Sequence, residues 1–268
     1  MAMAFIDFEM NCNESRKNSE NNEIIQITML IYKKLKTQEL IDTFNSYVCL
    51  PEGVKLTEHS KEITGITEEN LSKAPTFKEC YDTIQGLIEK YNIQTIYCYG
   101  DYDEFAFRYT AKKNKIPSFR RVSRRLRDLS PNFKEKLQLK RNISLSNLSL
   151  ILGIPYENKH NALSDAEQLK SCYQMLEKKN FIYNQTMLND YKKYEILRET
   201  FNNVKRELQR LEKEGFPPLD KNKLIAKIIG LHKKLQTLEK EGLSLEKFSS
   251  LYEIGKFPTF EEYLQSKF

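Results

Sequence analysis

Hydrophobic and polar positions alternate at both ends of the first fifty residues, and that alternation predicts strands. In "AFIDFEM" (4–10) Ile6 and Phe8 share one face, and Asp7 and Glu9 share the other, because side chains two apart on a strand point the same way. "EIIQITMLIYK" (23–33) and "IDTFNSYVCL" (41–50) are rich in β-branched and aromatic residues, so three antiparallel strands are expected. The polar, Asn-rich "NCNESRKNSENN" (11–22) reads as an exposed loop. The period then lengthens. Residues 75–91 place Phe77, Cys80, Tyr81, Ile84, Leu87 and Ile88 on one side of a helix. "QTIYCYG" (94–100) is a further buried strand that runs straight into a helix at "DEFAFRYTAKKN". Residues 144–154 form a helix ending near Gly153, and 163–179 a longer one with Leu169, Cys172, Tyr173 and Leu176 inward. Strands followed by strand–helix alternation imply an α/β fold, a mixed sheet covered by helices.

The pattern changes near residue 181. Tyr194, Leu197, Phe201, Val204, Leu208 and Leu211 recur at steps of three and four, as do Leu224, Ile228, Leu231, Leu235 and Leu238. "EGFPPLD" (214–220) separates the two runs, which predicts an antiparallel helical hairpin, with "TFEEYLQSKF" as a last short helix. The expected organisation is a first domain over 1–180 and a helical extension over 181–268. The extension suits core packing, a protein partner or self-association better than a grip on nucleic acid, since its charges are mixed in sign.

Charge sharpens the picture. The chain of 268 residues carries a net +6, yet residues 112–141 alone hold twelve Lys or Arg against Asp128 and Glu135. The basic character is therefore local, as expected of a surface that meets a polyanion. The five cysteines (Cys12, Cys49, Cys80, Cys98, Cys172) are scattered and include no Cys-x-x-Cys. That argues against a disulfide framework or structural zinc and for reduced thiols in a cytoplasmic protein. No apolar run reaches the ~18 residues of a membrane span, so no membrane partner is expected.

Acids recur at three places where the predicted topology brings strand and helix ends together. Asp7 and Glu9 lie on the first strand, Asp101 and Asp103 follow the strand at 94–100, and Asp165 opens the helix after His160. Residues bound to ligands gather at such strand ends in open α/β sheets. A carboxylate cluster of this kind persists only if cations neutralise it. Oxygen-only ligands suit two Mg²⁺ or Mn²⁺ ions, the apparatus that displaces an oxygen at phosphorus, with a histidine to take a proton from water.

These residues resemble a known family. Asp-x-Glu on the first strand, an Asp at the later strand–helix junction and His-x₄-Asp are similar to the three motifs of the DEDDh (DnaQ-like) 3′–5′ exonucleases. "LTEHSKEITGITEENLSKAPTFKECYDTI" (56–84) resembles a segment of their Eri-type branch, which includes KapD-like bacterial proteins. The likeness spans roughly residues 4–179. It implies a ribonuclease H-like fold with a mixed five-stranded sheet, and Asp7, Glu9, Asp103 and Asp165 as metal-binding acids, Asp103 being preferred over Asp101 because an aromatic residue precedes it. It implies His160 as general base. Asn161 stands where a tyrosine-type relative would carry its base. The resemblance further implies that Met10, Ile63 and Thr64 hold the terminal nucleotide, with Ile63 wedged against its base. Asp7 and Asp165 would share one ion, Glu9 would touch that ion and the terminal sugar, and Asp103 would anchor the second. Arg120, Arg121 and Arg124 would bind backbone phosphates just outside the site. The implied activity is release of 5′-mononucleotides from the free 3′ end of single-stranded nucleic acid, RNA before DNA. The alternatives are a catalytically silent nucleic-acid-binding or partner-docking relative, a dinucleotide phosphodiesterase, and a helical adaptor whose acids are caps.

Overall fold

The computed structural model describes residues 2–12, 22–33, 39–157 and 160–214, with positions 226, 230, 233 and 237 beyond them. The chain divides into two compact units, Met1–Ile182 and Tyr183–Phe268. Among the described residues no helix is long and apolar enough to cross a membrane.

The first unit is built on a five-stranded sheet in the order β3-β2-β1-β4-β5. Its strands are β1 (Ala2–Asn11), β2 (Glu23–Lys33), β3 (Leu40–Tyr47), β4 (Ile93–Cys98) and β5 (Leu126–Asp128). β1 pairs antiparallel with β2 and β2 with β3. β4 runs parallel to β1, and β5 parallel to β4. The sheet is therefore mixed, with the first three strands arranged as the alternation predicts. β5 was not legible: it has three residues, one of them an arginine, in the middle of the basic run.

Among the described residues of this unit there are eight helices: α1 (Glu58–Thr64), α2 (Glu68–Ser72), α3 (Phe77–Tyr91), α4 (Asp101–Lys113), α5 (Arg120–Ser123), α6 (Ser130–Lys136), α7 (Leu145–Leu152) and α8 (Ala162–Leu176). Their ends follow local chemistry. Thr76 and Glu79 form a reciprocal capping box at the start of α3, and the side chain of Asn161 accepts the amides of Leu163 and Ser164 at the start of α8. Gly153 stops α7 in the left-handed conformation, at φ 67°.

One face of the sheet presents Ala4, Ile6, Phe8, Ile27, Met29 and Ile31 to α3 and α4, where Phe107 meets the rings of Phe8, Phe77 and Tyr81. On the other face Phe5 packs edge-on against Tyr173 of α8. Farther along β1 that second face carries Asp7 and Glu9, opposite Thr28 and Gln26 of β2. The pairing then shifts: Glu9 faces Gln26 and Met10 faces Ile24. Ile25 is the extra residue of this bulge, and it packs with Leu56 before α1, Ile66 between α1 and α2, and Leu71 within α2.

The second unit contributes α9 (Gln185–Glu214), where an amphipathic helix is expected. The second helix of the expected hairpin, with Leu224 to Leu238, and the closing segment lie outside the described residues, as do residues 13–21 of the Asn-rich loop.

Candidate active site

Strand alternation puts Asp7 and Glu9 side by side, and α8 brings Asp165 to them from its first turn. One carboxylate oxygen from each of these three residues lies within 4.8 Å of the other two. Asp103 comes from the first turn of α4, buried, and accepts the Tyr99 amide at 3.3 Å. Asp101, two residues earlier, is exposed. A turn that leaves β4 and starts α4 within two residues requires Gly100 at φ 98°, a conformation open to glycine and strained for other residues.

The charges are mutually uncomfortable. Burial, then repulsion by Asp165 and Asp103, pushes the Glu9 carboxyl up to about 8. Burial also raises Asp103 to about 8, with the Tyr99 amide opposing and Asp128 and Asp165 adding to the rise. Asp7 is raised well above the carboxylate range by burial and then by Asp103, Asp165 and Glu9. Asp165 is raised by burial, against a hydrogen bond from Tyr156, the neighbouring His160, and the His160 and Asn161 amides. Four carboxyl groups so arranged hold protons or cations. Every donor in the set is oxygen, so the residues fit a hard divalent cation such as Mg²⁺ or Mn²⁺.

His160 is exposed, at φ 62°, in the turn that ends at the Asn161 cap of α8. A non-glycine residue held there stores backbone strain of about 1–2 kcal/mol. Two supporting residues were missed in the sequence. Tyr156 donates its hydroxyl to Asp165 Oδ1 at 2.6 Å. Asp128, at the end of β5, accepts the Gly100 amide at 2.7 Å and the Ser130 amide and hydroxyl at 2.7 and 2.8 Å. It thus ties the turn that bears Asp103 to the start of α6. An Asp two residues before a Ser-Pro helix start was its only signal, and Tyr156 had none.

The expected nucleotide-binding residues separate into two groups. Ile63, Thr64 and the Met10 backbone belong to one rim, while the partly buried Met10 side chain packs against the core beneath α3 and α4. The Ser60 hydroxyl donates to Met10 O at 3.2 Å and accepts the Cys12 amide at 2.8 Å. The Thr57 amide donates to Asn11 Oδ1 at 2.9 Å, so α1 is stitched to the end of β1. Ile63 on that helix is 40% exposed rather than part of the core. The Thr64 hydroxyl is engaged within its own helix, donating to Ser60 O at 2.7 Å. Arg120, Arg121 and Arg124 are exposed but lie elsewhere. They precede β5, and Arg125 Nε donates to Ile93 O at the start of β4, whereas the acids gather at the carboxyl ends of β1 and β4. At about 3.3 Å per strand residue, the length of β4 separates these arginines from the cluster. The structure does not bring them to it.

The chain matches known exonucleases in sequence and in fold. The family model described as Exonuclease (RNase T) matches residues 4–173. The 3′-5′ exonuclease eri1 of Schizosaccharomyces pombe is 29% identical over 90 residues, covering 34% of this chain and 30% of that protein. The 3′-5′ exoribonuclease 1 of Homo sapiens is 26% identical over 178 residues, covering 62% of this chain and 50% of that protein. The chain thus spans half or less of the length of these curated relatives. Among solved structures, the nuclease domain of 3′hExo, a DEDDh family member bound to rAMP, superposes with a TM-score of 0.61 at 19% identity, over 69% of this chain and 96% of that one. E. coli Exonuclease I in complex with an oligonucleotide gives 0.53 at 16% identity, over 71% and 43%. At these identities the superpositions establish the ribonuclease H-like exonuclease fold.

Proposed function

The chain belongs to the RNase T exonuclease family, and on that footing we propose that it is a metal-dependent 3′–5′ exonuclease that releases 5′-mononucleotides from single-stranded RNA, and less readily from DNA. One observation carries this reading: oxygens of Asp7, Glu9 and Asp165 converge within 4.8 Å, beside a buried Asp103 and a strained, exposed His160. The RNA preference follows the names of the curated relatives. The nuclease activity belongs to the unit ending near residue 180, and the helical extension serves a protein partner or self-association.

In this mechanism Asp7, Glu9 and Asp165 would hold one divalent cation and Asp103 would help to hold a second. Cations bound there supply positive charge to the scissile phosphate and acidify water. His160 accepts the proton of the attacking water, and its exposure lets the imidazole return that proton to solvent. Tyr156 occupies one oxygen of Asp165 and so orients the carboxylate. Ile63, exposed on the rim at the end of β1, contacts the terminal nucleotide through apolar surface, with the part of Met10 left outside the core.

The test uses 5′-labelled single-stranded RNA and DNA of one sequence, with free and blocked 3′ ends, in Mg²⁺ or Mn²⁺. The native protein is expected to yield a ladder shrinking from the free 3′ end, lost in EDTA, with blocked ends, and in His160→Ala and Asp103→Asn. Protein that binds metal and leaves both polymers intact would refute the reading.

A further inference from the structure

The outward face of α4 carries three aromatic side chains at helical spacing, Tyr102, Phe105 and Tyr109. Helical geometry turns Asp103, Ala106, Phe107 and Thr110 inward, where they are buried, and leaves these rings on the opposite side. Phe105 is 48% exposed and Tyr102 42%. A lone exposed phenylalanine would say little, but contiguous exposed apolar surface marks a site of interaction. The rings are also aligned. Tyr102 and Phe105 lie 6.3 Å apart between centroids and 22° from parallel, and Phe105 and Tyr109 are 6.3 Å apart and 15° from parallel.

The stripe has a direction. It begins at the residue adjoining Asp103, whose carboxylate faces the acid cluster, and leads one turn on to the exposed Lys112 and Lys113. The Lys113 ammonium sits 5.9 Å above the Tyr109 ring. These lysines open the stretch that carries the chain's excess positive charge. The Lys113 ammonium is paired with the buried Glu23 carboxylate, so the exposed Lys112 is the cation at the far end. Flat faces aligned alike, with that cation beyond them and the reactive acids at the near end, match the chemistry of an unpaired polynucleotide: bases for the rings, a phosphate for Lys112.

We propose that Phe105 and Tyr109 form a stacking track for the bases upstream of the 3′-terminal nucleotide, with Lys112 meeting their phosphates. The track rests on the exonuclease reading and deepens it: it assigns the substrate as single-stranded over several nucleotides, because bases paired in a duplex cannot spread their faces onto the rings.

The experiment measures binding of a labelled single-stranded RNA of about ten nucleotides in EDTA, where the strand is not consumed. Binding of adenosine 5′-monophosphate in Mn²⁺ is measured in parallel, because it reports the terminal site alone. Phe105→Ala is expected to weaken oligonucleotide binding about tenfold, a loss typical of one base–aromatic stack. Phe105→Tyr should retain the affinity, and neither should alter monophosphate binding. An unchanged oligonucleotide affinity in Phe105→Ala would overturn the track and leave the ring to a protein partner. An equal loss of monophosphate binding would also overturn it, since Phe105 would then act at the terminal site. Native protein that neither binds nor degrades the strand would instead bring down the exonuclease reading on which the track rests.

Discussion

The hydroxyl of Tyr156 lies 2.6 Å from Oδ1 of Asp165 and donates to it, so one oxygen of that carboxylate is committed before any cation arrives. The His160 and Asn161 amides hydrogen-bond the same carboxylate, so its plane is set from outside the acid cluster. Hydrogen-bonded partners of this kind typically change metal affinity or activity by about 10- to 100-fold. Tyr156→Phe is therefore expected to weaken Mn²⁺ binding within that range, with little change in melting temperature. Calorimetric titration of Mn²⁺ into native and variant protein checks it, and equal affinities would remove Tyr156 from the site.

The raised carboxyl groups predict a pH dependence of stability. Glu9 moves from 4.5 to about 8 and Asp103 from 3.8 to about 8, so between about pH 4 and 8 the folded protein holds more protons than the unfolded chain. Stability must then fall as pH rises through that window. The melting temperature in EDTA should decline toward pH 8, and Mn²⁺ should raise it more at pH 8 than at pH 5. Asp103→Asn should flatten the decline, whereas a profile indifferent to that substitution would contradict the electrostatics.

His160 separates stability from activity. Its φ of 62° is strained for any residue with a Cβ and relaxed for glycine. His160→Gly should leave the protein as stable as the native form or about 1 kcal/mol more so, while abolishing strand shortening. Urea denaturation and the degradation assay, run on one preparation, test both halves.

Asp128 supports the site from the last strand. Asp128→Ala leaves the Gly100 and Ser130 amides without their acceptor, at an expected cost of about 1–3 kcal/mol. Freedom at Gly100 should also displace Asp103, so activity should fall further than the loss of stability explains. Ser130→Ala, which removes only the 2.8 Å hydroxyl contact, should be mild in both respects. Equal effects of the two substitutions would deny Asp128 its role in holding the turn.

Much of the fold was legible where one element speaks for itself. The alternation around Asp7 and Glu9 placed both acids on one face, and α3 was readable from the spacing of Phe77, Cys80, Tyr81, Ile84 and Ile88, all buried. In the basic run, charge alone does not say what each side chain touches. The guanidinium groups of Arg125 and Arg127 bond to backbone carbonyls, Arg127 to Arg124 O at 2.8 Å and to Leu126 O at 2.7 Å. The run conceals both α5 and β5. Asp128 and Tyr156 escaped for a related reason: each acts through a hydrogen bond whose partner is brought close by the fold and by no periodic pattern.

The bulge at Ile25 has a consequence for how this family of surfaces can diversify. Downstream of it, Gln26 and Thr28 stay in step with Glu9 and Asp7; the inserted residue itself anchors the segment that bears Ile63. Chemistry and recognition are thereby hung on opposite sides of one irregularity in the ladder. The segment from Leu56 to Leu71 is free to be exchanged, lengthened or recoloured for a different terminal nucleotide while the acid pair keeps its register, and an engineer seeking new specificity would begin there.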